Sequence, residues 1–289
     1  MECGGDGRRV NPSRSVDTTS SSGIFSFMPS IFRDHLLKDK TAVVTGGGSG
    51  IGQRIAERFA EHGARVVLVG RKQDKLDAAA AKIQASGGVA ETAALDVRDY
   101  PALEAMFQRV TPVDILVCAA AGNFPATIAG MSANGFKAVI DIDLLGTFNA
   151  CRASYDHLRK PGASIIAISA NQATTPFAMQ AHVCAGKAGV ELMLKTLAIE
   201  WGPEGIRANI LTPGPTDDTE GMRRLAPSAE ALQRSIKSVP LRRLGTKDEL
   251  ADLALFLCSD AASYITGATF ACDGGSGLSH SGSLSAAAS

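Results

Sequence analysis

The chain has 289 residues, 45% of them hydrophobic, enough for one large α/β core. Lys plus Arg and Asp plus Glu both number 29, which leaves no net positive field for a phosphate backbone or an acidic membrane surface and argues against a nucleic-acid partner. No apolar run reaches the ~18 residues of a membrane span, and the six cysteines (Cys3, Cys118, Cys151, Cys184, Cys258, Cys272) show neither a CxxC pair nor metal-ligand spacing. The expectation is a soluble cytoplasmic protein with reduced core thiols and no bound metal.

Residues 1–27 are rich in Gly, Ser, Thr and Arg and lack the apolar core of a secretory signal. Glu2, Asp6 and Asp17 argue against a transit peptide. A disordered extension is expected over 1–27, with Met28 as the natural start, one domain over 28–276 and a flexible tail over 277–289. Within the domain, strand and helix patterns alternate. Strand TAVVT (41–45) is followed by a helix over 53–62, strand ARVVLV (64–69) by 74–85, and strand ETAALDV (91–97) by 101–110. Strand DILVCAA (114–120) precedes a helix over 144–158, ASIIAIS (163–169) one over 185–201, and IRANIL (206–211) one over 247–258, before the last strand, ATFACD (268–273). Such alternation predicts a single-domain, Rossmann-like, doubly wound parallel sheet of about seven strands with helices on both faces.

The first strand runs into Thr45-Gly46-Gly47-Gly48-Ser49-Gly50-Ile51-Gly52 and then a helix. Glycines there permit a tight turn and close backbone approach, so that amides and the helix N-terminus can hold a pyrophosphate. The second strand ends VVLVGRK, with Gly70 where an NAD-selective carboxylate would stand and Arg71 and Lys72 offered to a 2′-phosphate. NADP(H) is therefore the expected cofactor. Asp96, closing the third strand, is placed to accept a hydrogen bond from the adenine amine.

The TGxxxGIG turn, the LDV and DILV segments, a lone helical lysine (Lys187) and PGP after the sixth strand together resemble the short-chain dehydrogenase/reductase family over about residues 36–275. The resemblance implies that Val97, Ala120, Ala121, Gly122, Pro213, Gly214, Pro215 and Thr216 also line the cofactor. The usual catalytic set of that family is Asn, Ser, Tyr and Lys, and here only Lys187 stands. The tyrosine position is Val183, the serine position Ala170 and the asparagine position Asp143, a residue type that also caps helices. Ser169 should point to the other side of its strand, and Tyr100, Tyr155 and Tyr264 lie elsewhere.

Two explanations compete: a nucleotide binder without chemistry, and a reaction in which no alcohol or ketone oxygen needs a phenolic proton. CAAAGNFPA (118–126), DIDLLGTFN (141–149), His182 and PGPTDDTEGMRRL (213–225) resemble the 2,4-dienoyl-CoA reductases, particularly the peroxisomal type. Thr216, the extra acid in DDTEG and Leu145 depart from their pattern. The resemblance implies hydride addition from NADPH at the δ-carbon of a dienoyl-CoA and protonation of the resulting dienolate at the α-carbon. In that scheme Asp143 positions a water, Asp273 is a possible second carboxylate and Lys187 holds the nicotinamide ribose. Asn123, Phe124 and His182 face the substrate, residues 216–238 form a mobile wall, and Arg223 and Arg224 meet the phosphates of the acyl-CoA. Helices 144–158 and 185–201 would pair in a homotetramer. The rivals are a 2-enoyl-CoA or enoyl-acyl-carrier reductase and a silent NADPH-binding protein.

Overall fold

The structure, a computed structural model, describes residues 32–278; the expectations for residues 1–27, for Met28 and for most of the tail lie outside these. Seven parallel strands form one sheet in the order β3-β2-β1-β4-β5-β6-β7. They are β1 (Thr41–Thr45), β2 (Arg65–Gly70), β3 (Val89–Ala94), β4 (Ile115–Cys118), β5 (Ser164–Ile168), β6 (Arg207–Pro213) and β7 (Thr269–Cys272). The central strands are unbroken apolar runs because both faces are covered. Val44, Val66 and Val117 pack under α1 (Gly50–Glu61), α2 (Gln73–Ala85) and α9 (Lys247–Cys258). Their neighbours Val43, Val67 and Leu116 pack under α3 (Tyr100–Arg109) and two further helices, α5 (Gly146–Ser154) and α6 (Ala181–Trp201). Strand order reverses between β1 and β4, which opens a crevice at the carboxyl ends of the strands.

Four expectations are corrected. α4 (Ala133–Ile140) was not foreseen; it is started by Ser132, whose hydroxyl accepts from the Gly135 amide, and it continues through one wide π turn, Asp141–Leu145, into α5 (Gly146–Ser154). Asp143 therefore lies inside a continuous helix and caps nothing. α6 (Ala181–Trp201) starts four residues earlier than its apolar pattern suggested, so His182 and Val183 are helical. β3 ends at Ala94, leaving Asp96 in the turn beyond it. The wall over 216–238 contains two helices, α7 (Glu220–Leu225) and α8 (Ala229–Ser238), capped by Thr219 and Ser228. No residue of α8 is buried, though Leu232 and Ile236, four apart, are half-covered on one face.

The nucleotide-side helix α1 is clamped to α9 by charge. Arg58 is fully buried, with Nη2 2.8 Å from Asp248, Nε 3.0 Å from Asp252 and Nη1 3.2 Å from Glu61. Arg54 adds contacts of 2.7 Å to both Glu61 and Asp248. Burial pushes the Asp252 carboxyl up, and Arg58 opposes that. Replacing Arg58 by Ala leaves Asp252 without its counter-charge and Glu61 and Asp248 with Arg54 alone. Urea titration of Arg58→Ala should show a loss of about 3–5 kcal/mol; a loss under about 1 kcal/mol would mean that the clamp contributes little.

Candidate active site

The glycine turn is built for close approach. Gly46 has φ +70°, and a Cβ there would lie 2.7 Å from the Ala119 carbonyl oxygen. At Gly52 a Cβ would lie 2.7 Å from the Gly46 carbonyl oxygen, so α1 seats directly on the turn. Gly50, at φ +60°, meets nothing within 4 Å and leaves open space at the start of α1. A backbone cradle at a helix N-terminus, with open room before it, fits a dinucleotide pyrophosphate. Gly48 backs onto Leu76, Ile51 packs against the core, and Ser49 precedes α1 with no capping hydrogen bond. Thr45 works as a strut: its hydroxyl accepts from the amides of Ala119 (3.1 Å) and Ala120 (3.3 Å), holding the exit of β4 beside the turn.

Arg71 is exposed immediately after β2. Asp96 is gripped by Arg98, whose Nη2 and Nε donate at 2.6 and 3.0 Å; this pairing holds its carboxyl below the usual range, with a smaller contribution from Arg71. Val97 is buried against Gly146, and its carbonyl accepts from Asn149 of α5 at 3.0 Å. Arg98 and Asn149 were not singled out from sequence; no local pattern points to them.

Across the crevice, the Lys187 ammonium lies 3.2 Å from Asp143 Oδ2 and donates to the Ile168 carbonyl at 2.9 Å. Asp143 Oδ1 accepts from the Gly122 amide at 2.7 Å. Both charged side chains are buried. The helices approach closely because α6 has no side chain at the contact: a Cβ on Gly186 would lie 3.5 Å from Asp143 Cβ, and one on Gly189 would lie 2.9 Å from Leu144 Cδ2. Two glycines within one helix, each costing about 1 kcal/mol of helix propensity, were the available signal for that approach. Val183 and Ala170 occupy the tyrosine and serine positions. As expected, Ser169 turns away, donating to Glu191 at 2.6 Å. Tyr155 bonds Glu204 beside Trp201, Tyr264 is fully exposed, and Tyr100 is half-buried at the start of α3.

On the substrate side, Asn123 Oδ1 and both ring nitrogens of His182 are buried without a hydrogen-bond partner, and the His182 ring stacks at 4.5 Å on Phe124. Arg224 closes over this loop by donating to the Asn123 carbonyl while pairing with Glu220. Arg223 goes elsewhere. It pairs with Asp218 at 3.1 Å and lines a cavity of about 260 Å³ with Ser49, Gly50, Lys82 and Lys247. Asp273 is engaged in its own turn, accepting from the amides of Gly275 (2.8 Å) and Gly277 (2.6 Å) and from Asn171 and Ser276 (3.3 Å each). Burial pushes its carboxyl up, but these donors bring it below the usual range. Gly214 packs on the Asp273 backbone; the Thr216 hydroxyl turns back to the Gly214 carbonyl at 2.9 Å, and the Pro215 carbonyl accepts from Gly245. Pro213 ends β6, and Ala121 is exposed at the loop. Cys118, nearby, is no nucleophile: its hydrogen bond with Cys151 and burial push the thiol well up.

The family model described as enoyl-(acyl carrier protein) reductase matches residues 46–277. The chain belongs to the short-chain dehydrogenase/reductase family. It is 43% identical over 254 residues to a peroxisomal 2,4-dienoyl-CoA reductase, named as (3E)-enoyl-CoA-producing, from Pongo abelii, covering 86% of this chain and 87% of that protein. It is 39% identical over 249 residues to a probable 2,4-dienoyl-CoA reductase, named as (2E)-enoyl-CoA-producing, from Bacillus subtilis, covering 84% and 98%. A gluconate 5-dehydrogenase from Burkholderia cenocepacia, solved with NADP and tartrate, superimposes with a TM-score of 0.79 at 32% identity, covering 84% of this chain and 97% of that one. A nicotinamide dinucleotide is the cofactor of such folds, and the open glycine cradle fits it.

Proposed function

We propose that this protein is an NADPH-dependent reductase of unsaturated acyl-CoA thioesters, converting a 2,4-dienoyl-CoA to a 3-enoyl-CoA. The carrying observation is a site that keeps the Lys187–Asp143 pair while placing Val183 and Ala170 where hydroxyl donors would serve a ketone or alcohol. Reducing a conjugated thioester needs no phenol, because charge gathers as an enolate on the thioester oxygen and the proton goes to carbon. The bound nicotinamide supplies hydride to the conjugated chain. Lys187 orients the ribose hydroxyls, and its charge is balanced by Asp143, whose Oδ2 positions the water that protonates the α-carbon. Asp143 also pins Gly122, which fixes the Asn123–Phe124 loop against the acyl group. Asp273, engaged in its turn, supports Asn171 and is the weaker candidate for a second carboxylate. Arg224, on the Asn123 loop, and Arg223, at the outer cavity, are the cations offered to coenzyme A phosphates.

The choice of NADPH rests on Arg71, with Arg98 nearby and no acid at Gly70. A homotetramer is supported by Leu192 and Ile199, which stand 68% and 78% exposed on α6. The five unpaired thiols among the described residues support the cytoplasm or another reducing compartment, although the relative from Pongo abelii is named peroxisomal. A monomer mass in light scattering, or native protein co-fractionating with peroxisomal markers, would contradict these two readings respectively. Among the described residues no helix is long and apolar enough to cross a membrane.

The deciding assay follows NADPH consumption with 2,4-hexadienoyl-CoA and 2-hexenoyl-CoA in parallel. Turnover of the diene is expected; turnover of the monoene alone would make this an enoyl reductase, and tight NADPH binding without turnover a silent binder. Asp143→Asn, which keeps an acceptor for the Gly122 amide, should lower kcat by about 10²-fold or more while leaving NADPH affinity within a few-fold of the wild type. Arg71→Ala should raise the KM for NADPH about tenfold, the worth of a charge-assisted contact, and leave that for NADH unaltered. Equal effects on both cofactors would remove Arg71 from the 2′-phosphate site.

A further inference from the structure

His182 is the most anomalous polar group on the acyl side of the crevice. It is fully buried, and among the described residues neither ring nitrogen has a hydrogen-bond partner. In every protonation state an imidazole carries at least one N–H, and burying such a donor unpaired costs about 1–3 kcal/mol. A phenyl ring would stack on Phe124 without that cost, so packing alone does not account for an imidazole here.

Its position is fixed from two directions. Along α6, His182 stands one turn before Gly186, on the row whose next members meet Asp143 and Leu144. Along the β4 exit, Gly122 is bonded to Asp143 and Phe124 is stacked on His182, two residues apart. Asp143 and His182 therefore border one strip of wall, and Asn123, whose Oδ1 is also unpaired, joins Gly122 to Phe124 in the chain. Three other donors nearby are committed: Lys187 to the Ile168 carbonyl and Asp143, Gln180 Nε2 to the Met179 carbonyl, and Ser169 to Glu191.

Building on the reductase function proposed above, we infer that His182 donates a ring N–H to the thioester carbonyl oxygen of the acyl substrate. The imidazole thus supplies the oxygen-side donor that Val183 and Ala170 lack. As hydride adds to the remote carbon, electrons move along the conjugated chain to that oxygen, and the hydrogen bond to His182 strengthens. The proton that completes the reaction goes to the α-carbon from the water held by Asp143, the hydroxide left behind being reprotonated by bulk water, so His182 keeps its own proton throughout.

Two variants separate this role from packing. His182→Gln retains an N–H donor, and His182→Met fills similar space without one. Both should bind NADPH as the wild type does. His182→Met should lose about 10²-fold in kcat with little change in KM, the pattern of a contact that strengthens in the transition state, and His182→Gln should recover most of that loss. The second readout needs no turnover. Bound with NADP⁺, 2,4-hexadienoyl-CoA should show its diene absorption displaced to longer wavelength by carbonyl polarisation in the wild type and His182→Gln, but not in His182→Met. Should the Met variant fail to fold, the His182 ring resonance in the wild type must move when the dienoyl ester is added to the NADP⁺ complex; an unmoved resonance overturns the role. A wild type that turns over beside an equally active His182→Met overturns this role alone. A wild type that consumes no unsaturated ester overturns the underlying function and this role with it.

Discussion

The buried ion pair between Lys187 and Asp143 is the constraint around which the crevice is arranged. Two opposite charges out of water are stable together only when their remaining hydrogen-bonding capacity is met. Here the Ile168 carbonyl at the end of β5 takes the ammonium, and the Gly122 amide beyond β4 is held by the carboxylate. One pair thereby ties α6, the π turn and the exits of two adjacent strands. Gly189 makes the approach possible, since a Cβ there would lie 2.9 Å from Leu144 Cδ2, and the extra width of the π turn places Asp143 beside Gly186.

The opposite half of the crevice has a different support. The Arg54 and Arg58 clamp joins α1, which presents its N-terminus to the dinucleotide, to α9. At its own N-terminus α9 carries the Thr246–Glu249 capping box, and Arg243, first among several donors, holds the Glu249 carboxyl down to about 2. Lys247 then reaches Asp218 in the wall segment at 2.7 Å, so the outer cover is anchored to the same helix that steadies the nucleotide turn. Arg224 completes the connection by reaching the Asn123 loop. The cofactor side and the acyl side are thus joined through charged contacts on the exposed rim, where water can exchange with them, and through the dry Lys187–Asp143 pair at the centre.

Periodicity and glycine spacing made the sheet, most of its covering helices and the nucleotide turn legible. Apolar runs such as TAVVT and SIIAI are long enough to be strands and too short to be helices. α4 and α8 were not singled out, being short helices of 8 and 10 residues with few large apolar residues to mark them. The early start of α6 was hidden because Ala181, His182, Val183 and Cys184 read equally well as loop. Of the candidate site residues, Asp143, Lys187, Asn123, Phe124 and His182 were found from motif positions, and folding brings them to one crevice. Thr45, Thr216 and Asp273 were found by the same route, yet their polar groups are spent on the protein itself.

What the sequence determined by itself is the order of the elements, the dinucleotide turn and the loss of the hydroxyl donors, because each is written in residues close together along the chain. Tertiary structure decided which groups are paired and which are left without a partner. Asp143 became a strut for Gly122 and a counter-ion for Lys187, Arg223 turned to the cavity beside the glycine turn while Arg224 reached the Asn123 carbonyl, and His182 was left buried with neither nitrogen hydrogen-bonded. Those outcomes depend on the angle and separation at which α6 meets the π turn and the exit of β4. Hydrogen bonding falls off within a fraction of an ångström, so a one-dimensional pattern carries the candidates, while only the packed fold assigns their partners.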